Sequence, residues 1–137
     1  MAAKKRPRRV WARSGSPADK PKIPDVLKAR AQTEADTLLE HFRPLHIRPE
    51  ENPQFNYITE LSSVWFRGYL YLRAIYANVY PHGDPTFEVR FTRLEYAGGE
   101  KFNLAYMRHT GQWWEVYHDL PLEDAIRTIR EEIIFHP

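Results

Sequence analysis

Two stretches of the chain carry apolar residues at the three- and four-residue spacing of an amphipathic helix, and they predict helices over residues 24–42 and 121–134. Pro24 and Pro121 stand at the starts, where proline is favoured, and acidic residues follow each of them at the positive end of the helix dipole. Pro44 predicts the end of the first helix, because proline lacks an N–H and clashes with the preceding turn.

Residues 55–79 fit two periodicities. Apolar residues recur there at helical spacing, which leaves a helix open as an alternative. The composition is nevertheless rich in Tyr, Ile, Val, Trp and Phe, which favour strands. Gly68 would cost a helix interior about 1 kcal/mol but suits a turn. We therefore predict a long hairpin that turns at Arg67-Gly68.

Residues 87–120 read as three short strands joined by two tight turns. Gly98-Gly99 is typical of a two-residue hairpin loop, and Thr110-Gly111 is a weaker signal of the same kind. The predicted fold class is α+β, with an N-terminal helix, a five-stranded, mainly antiparallel meander sheet and a C-terminal helix packed on the sheet.

If both turns have two-residue loops, the pairing places Glu95 opposite Phe102 and Tyr106 opposite Glu115. Because side chains alternate across a strand, one face of the sheet then combines aromatic rings with charged groups. The candidate binding residues on this face are Arg93, Phe102, Tyr106, Arg108, Trp113, Glu115 and Tyr117. Arg108 lies beside Trp113 in this pairing, as a cation–π contact requires. Either a helix covers this face, or it is an open platform for a base, a peptide or another flat ligand. A register slip of one residue would change its members.

Charge is distributed unevenly along the chain. Residues 1–22 hold eight Lys/Arg and one acid, a net charge of +7. The remaining residues hold 12 Lys/Arg and 17 acids, a net charge of −5, which together give the total of +2. The basic segment is rich in proline and poor in apolar residues, so we predict a disordered tail over 1–22 and a single domain over 23–137.

The basic tail is the clearest indication of function. Lys and Arg side chains attract phosphates through counterion release, and a tryptophan among them is suited to stacking on a base. The predicted nucleic-acid-binding residues are Lys4, Lys5, Arg6, Arg8, Arg9, Trp11 and Arg13. The alternatives are a solubilising tail that binds anions incidentally and, in a eukaryote, a nuclear-import signal.

Several chemistries find no support in the sequence. There is no cysteine, and the six histidines form no HxxxH or HxH pair, so we predict no metal site and no cofactor. Motifs of nucleotide-binding and hydrolase sites are missing too. His109, beside Arg108 and near Glu115, is the best acid/base candidate. No apolar run approaches the ~18 residues of a membrane span, and no apolar segment follows the basic residues as in a secretory signal. We expect a cytoplasmic protein without a membrane partner.

The stretch RLEYAGGEKFNLAYMRHTGQWWEVY, followed by LPLEDAIRTIREE and a terminal FHP, resembles small bacterial proteins whose domain has no known function. QFNY and KKRPRRVWARS extend the likeness over most of the chain. The resemblance implies a bacterial cytosolic origin, which weighs against nuclear import, and it implies no activity.

These observations favour a small non-enzymatic binding protein whose tail contacts nucleic acid or another polyanion. A protein-interaction or homodimerisation module that uses the aromatic and arginine face is the first alternative. A small enzyme built around residues 108–115 is the second.

Overall fold

The computed structural model describes residues 20–48, 54–80 and 82–137. Helix α1 (Asp25–His46) is followed by a five-stranded sheet and by helix α2 (Leu122–Glu131), after which a short 3-10 turn closes the chain. The strands are β1 (Tyr57–Phe66), β2 (Tyr69–Ala77), β3 (Thr86–Gly98), β4 (Lys101–Met107) and β5 (Trp113–Pro121). All neighbouring strands are antiparallel, in the order β1-β2-β3-β4-β5. The predicted α+β meander is confirmed.

The stretch that fitted two periodicities is a hairpin, as predicted. Strands β1 and β2 pair from Phe66 and Tyr69 outward, so Arg67-Gly68 is a two-residue turn. Both turn residues have positive φ, 52° at Arg67 and 84° at Gly68. Such turns match the twist of the strands they join, and glycine adopts positive φ without steric cost.

Both helices lie on the same face of the sheet. Ser63 of β1 donates a hydrogen bond to Asp36 of α1 at 2.5 Å. Ser63 pairs with Leu72, which pairs with Thr92, so these three residues form one row across the sheet. The Oγ1 of Thr92 donates to the backbone oxygen of Phe135 at 2.9 Å. Since side chains of one row share a face, α1 and the C-terminal segment cover the same side.

The core fills the space between this side of the sheet and the two helices. Each large apolar side chain buried there stabilises the fold by about 1.5–3 kcal/mol. The largest fully buried apolar members are Leu39, Phe42, Leu61, Leu70, Leu72, Leu94, Phe102, Leu104, Ile129 and Phe135.

The predicted helix bounds are wrong at the C-terminal ends. Pro44 does not end α1, which continues to His46. A proline in the last turn removes one backbone hydrogen bond, while packing holds the turn: the ring of His46 lies edge-on against buried Phe42 with centroids 5.7 Å apart. Helix α2 stops at Glu131, three residues before its predicted end, and the following turn carries Phe135 into the core.

The predicted register of β3 and β4 is wrong by one residue. Gly98 pairs with Lys101, which makes Gly99-Glu100 the turn, and an irregularity beside it pairs Tyr96 with Phe102. The two turn residues have φ of 58° and 60°, as a type I′ turn requires. The slip moves the β3 side chains to the other face relative to β4.

The second hairpin follows the prediction only far from its turn. Leu104 pairs with Tyr117 as expected, but a bulge then shifts the pairing, so Tyr106 faces Trp114 rather than Glu115. Its loop is longer than two residues, because the N–H of Arg108 donates to the Gln112 carbonyl at 2.9 Å.

Candidate functional site

The face of the sheet opposite the helices carries aromatic rings and cations together. Tyr71 pairs with Arg93, Arg93 with Ala105, and Ala105 with Glu115, so these residues form a row on this side. The neighbours of Tyr71 in β2, Leu70 and Leu72, point the other way into the core. Eight side chains in contact form what we call the aromatic-cation face: Phe66, Tyr69, Tyr71, Trp113, Lys20, Arg67, Arg90 and Arg93.

Two guanidinium groups lie between pairs of rings on this face. That of Arg93 lies 4.5 Å from the centroid of Tyr69 and 4.9 Å from that of Trp113. That of Arg90 lies 4.6 Å from Tyr71 and 5.6 Å from Phe66. Each such contact is worth about 0.5–1 kcal/mol at an exposed site. The rings thereby restrict both guanidinium groups and leave the N–H donors at their edges for hydrogen bonds, of which Arg90 Nε makes one to Glu88.

Carboxylates compensate part of this positive charge. Lys20 lies 3.4 Å from Glu95 and donates to the Tyr69 hydroxyl at 3.2 Å. The Tyr69 hydrogen bond, with Glu95 beside it, raises the pKa of Lys20. Glu88 forms ion pairs with both Arg90, at 2.8 Å, and Arg73, at 3.2 Å. The hydrogen bond from Arg90, together with the charge of Arg73, lowers the pKa of Glu88. One carboxylate thus faces two guanidinium groups.

Arg93 differs from these cations. It has neither an ion pair nor a side-chain hydrogen bond to another residue that the structure describes, and the nearest carboxylate in sequence, Glu95, is engaged by Lys20. An anion can therefore approach Arg93 without breaking an existing ion pair. Arg67 lies over the ring of Phe66, 5.1 Å from its centroid. Within the described ranges it likewise has no ion pair and no side-chain hydrogen bond.

A β-bulge puts Arg90 and Arg93 on one face. Residues three apart in a regular strand point to opposite sides. Thr92 pairs with Leu72 and Arg90 with Arg73, so Phe91 between them is the bulged residue and has no partner in β2. Phe91 is buried in the core. Arg90 returns to the side of Arg93, which the sequence pattern did not indicate.

The predicted binding face is divided between the two sides of the sheet. Phe102, Tyr106 and Tyr117 share one face, but it is the helix side. The prediction that they lie on the same face as Arg93 is wrong because of the register slip. Tyr117 donates its hydroxyl hydrogen to Glu132 at 2.6 Å.

Arg93, Trp113 and Glu115 lie on the opposite side, as the row across the sheet requires. Arg108 contacts the ring of Trp114, at 4.7 Å, instead of Trp113. Sequence reasoning missed Phe66, Tyr69, Tyr71, Arg67, Arg90 and Lys20 as members of the site. The alternation of Tyr69 and Tyr71 along β2 was the available signal.

The structure does not join the residues of the enzyme alternative. Glu115 contacts Nε2 of His118, its partner three residues along β5, while His109 is exposed in the loop. A cavity of about 350 Å³ lies elsewhere, between the starts of the two helices and the turn that joins β3 to β4. Arg30, Lys101 and Glu123 line it.

The predicted nucleic-acid-binding residues, Lys4 to Arg13, lie outside the described residues, and their role stays a prediction. The described part of the chain starts at Lys20, on the aromatic-cation face. Within the described ranges no three His, Asp or Glu side chains are grouped as a metal site requires. None of the helices there is long and apolar enough to cross a bilayer.

Comparison with known proteins identifies a family for this chain. No curated protein and no solved structure matches the chain significantly. A family model described as "Domain of unknown function (DUF3024)" matches residues 23–137, which contain all the helices and strands above. This confirms the resemblance to an uncharacterised domain family. Because the match spans well over half of the sequence, the chain belongs to the DUF3024 family.

Proposed function

We propose that the protein is a non-enzymatic nucleic-acid-binding protein that binds its ligand on the aromatic-cation face, with the basic tail as a second contact. The observation that supports this most is Arg93, which two rings restrict and no described carboxylate neutralises. A guanidinium in that state is suited to bidentate hydrogen bonding with a phosphate.

The local charge favours a polyanion. Three carboxylates lie on or beside this face: Glu88 and Glu95, which pair with cations, and Glu115, which contacts His118. The cations there number five: Lys20, Arg67, Arg73, Arg90 and Arg93. The domain as a whole has more acids than bases, so this positive patch is local and orients an approaching anion.

The tail adds charge close to the same patch. Its last basic residue before Lys20 is Arg13, seven residues away, so the two lie at most about 25 Å apart along an extended chain. Tail and face can therefore contact one nucleic-acid molecule at the same time, which raises the affinity through effective concentration.

A protein contact on the same face is the second candidate function. Tyr, Trp and Arg are the residues most enriched at interface hot spots, and Phe66 is 48% exposed beside them. A second copy of this chain is the simplest such partner.

Fluorescence anisotropy with the full-length protein tests the proposal. The probe is a labelled nucleic acid of about 20 nucleotides, as a single strand or as a duplex, at about 50 and 200 mM salt. Arg93→Gln is expected to weaken binding about tenfold and to reduce the salt slope by about one phosphate contact. Arg127→Gln is the matched control, because it removes the same charge from α2, where Arg127 pairs with Asp124 at 2.7 Å.

The control should bind within about twofold of the wild type, since its charge lies on the helix side and is already compensated. Equal losses in the two variants, or no binding of either probe by the wild type, would contradict the proposal. Sedimentation of the same proteins addresses the second candidate: a dimer that Arg93→Gln dissociates would favour it.

A further inference from the structure

We infer that the ligand is a single strand, whose unpaired bases stack first on Phe66, the exposed ring of the aromatic-cation face, while its phosphates meet the guanidinium groups. This inference rests on the proposed function and names the class of nucleic acid. It depends on three features of the face: an exposed apolar ring, the lack among the described residues of an element that fits a groove, and guanidinium groups that each contact two rings.

Phe66 is the ring that discriminates between a strand and a duplex. It ends β1, is 48% exposed, and has no polar atom with which to bind a phosphate. In an undistorted duplex the flat faces of the bases are covered by their neighbours, so an aromatic side chain that stacks on a base there must first unstack a step, which costs a few kcal/mol. Exposing Phe66 on a cationic surface costs solvation free energy that a duplex backbone does not recover.

The shape of the face disfavours groove recognition. A helix or a two-stranded ribbon fits the major groove of a duplex. Helices α1 and α2 both lie on the other side of the sheet, and the hairpin next to Phe66 turns in two residues, Arg67-Gly68. Toward this side the described residues thus present the broad surface of a five-stranded sheet.

Each guanidinium group of the face contacts two rings, as the phosphates of a strand lie between successive bases. Arg90 contacts Phe66 and Tyr71, and Arg93 contacts Tyr69 and Trp113. These two sets of contacts join where the ring of Tyr71 contacts those of Tyr69 and Trp113. Five strands span about 19 Å, which is room for several nucleotides of one strand.

The test compares the two forms of one probe with full-length protein. At near-physiological salt, the wild type is expected to bind a single strand of about 20 nucleotides at least about tenfold more tightly than the corresponding duplex. Phe66→Ala should weaken single-strand binding about 5- to 100-fold and leave duplex affinity and the salt slope unchanged. Phe66→Trp, with a larger ring, should bind the single strand more tightly than the wild type.

Phe87→Ala is the matched control. Phe87 is 38% exposed, but it stacks on Tyr76 and belongs to the helix side of the sheet through its pairing with that residue. Its loss should leave binding within about twofold of the wild type. Thermal melts confirm that each variant is folded, and Phe66→Trp keeps the test valid if Phe66→Ala is unstable.

The two proposals fail in different ways. If strand and duplex bind equally and Arg93→Gln weakens both, the single-strand inference is overturned and the proposed function stands. The same holds if neither Phe66 variant changes single-strand affinity. If the wild type binds neither probe, the proposed function falls, and this inference falls with it.

Discussion

Replacing Thr92 with valine is expected to destabilise the fold by about 1–3 kcal/mol, because it leaves a buried carbonyl without its hydrogen-bond donor. Thr92 is fully buried in β3, and its Oγ1 donates to the Phe135 carbonyl oxygen at 2.9 Å. This bond joins the centre of the sheet to the last turn of the chain. Valine keeps the shape of threonine, so the loss is that of the donor and not of packing volume.

Urea denaturation followed by circular dichroism measures this loss. With a slope of about 1–3 kcal/mol per molar urea, a loss of 2 kcal/mol lowers the midpoint by about 1 M at an unchanged slope. Thr128→Val is the control. The Thr128 hydroxyl also donates to a backbone oxygen, that of Asp124 at 2.7 Å, but Thr128 is half-buried and water can replace it. A midpoint shift for Thr92→Val no larger than that for Thr128→Val would refute the reasoning.

Two further predictions concern stability. Burial, and then the charges of His136 and Arg48, lower the pKa of His46. The unfolded chain therefore binds more protons, so wild-type stability should fall as pH drops below about 6.5, and His46→Gln should flatten this dependence in thermal melts from pH 7.5 to 5.5. Parallel curves would contradict this. Glu100 has φ of 60°, which costs most side chains about 1 kcal/mol or more and asparagine less. Glu100→Asn should accordingly raise the urea midpoint and Glu100→Val should lower it; a lower midpoint for the asparagine variant would count against the strained turn.

The elements of the fold followed from local signals. Gly68 could be assigned to a turn because a glycine in the middle of a β-branched and aromatic segment disfavours a helix, and the structure has it at φ 84°. The amphipathic spacing around Leu38 and Ile129 placed the two helices, both of which bury these residues. Neither inference required knowledge of distant parts of the chain.

The register of β3 and β4 did not follow from local signals. Both Gly98-Gly99 and Gly99-Glu100 can form a two-residue turn, so the turn sequence does not select between them. The burial of apolar side chains selects the register. The observed pairing places Leu94 opposite Leu104, and both are fully buried, whereas the predicted pairing placed Arg93 opposite Leu104. Matching apolar partners across the strands is therefore a stronger criterion here than the turn.

By itself, the sequence determined the number, type and order of the elements and the difference in net charge between residues 1–22 and 23–137, because spacing, turn residues and charge are properties of short segments. The tertiary structure decided which side chains share a face. The bulge at Phe91 brings Arg90 to the side of Arg93, and Arg93 meets Tyr69 of β2 and Trp113 of β5, which are 44 positions apart in the sequence. A site assembled from several strands depends on their register, and that register is fixed by burying the opposite face under the helices.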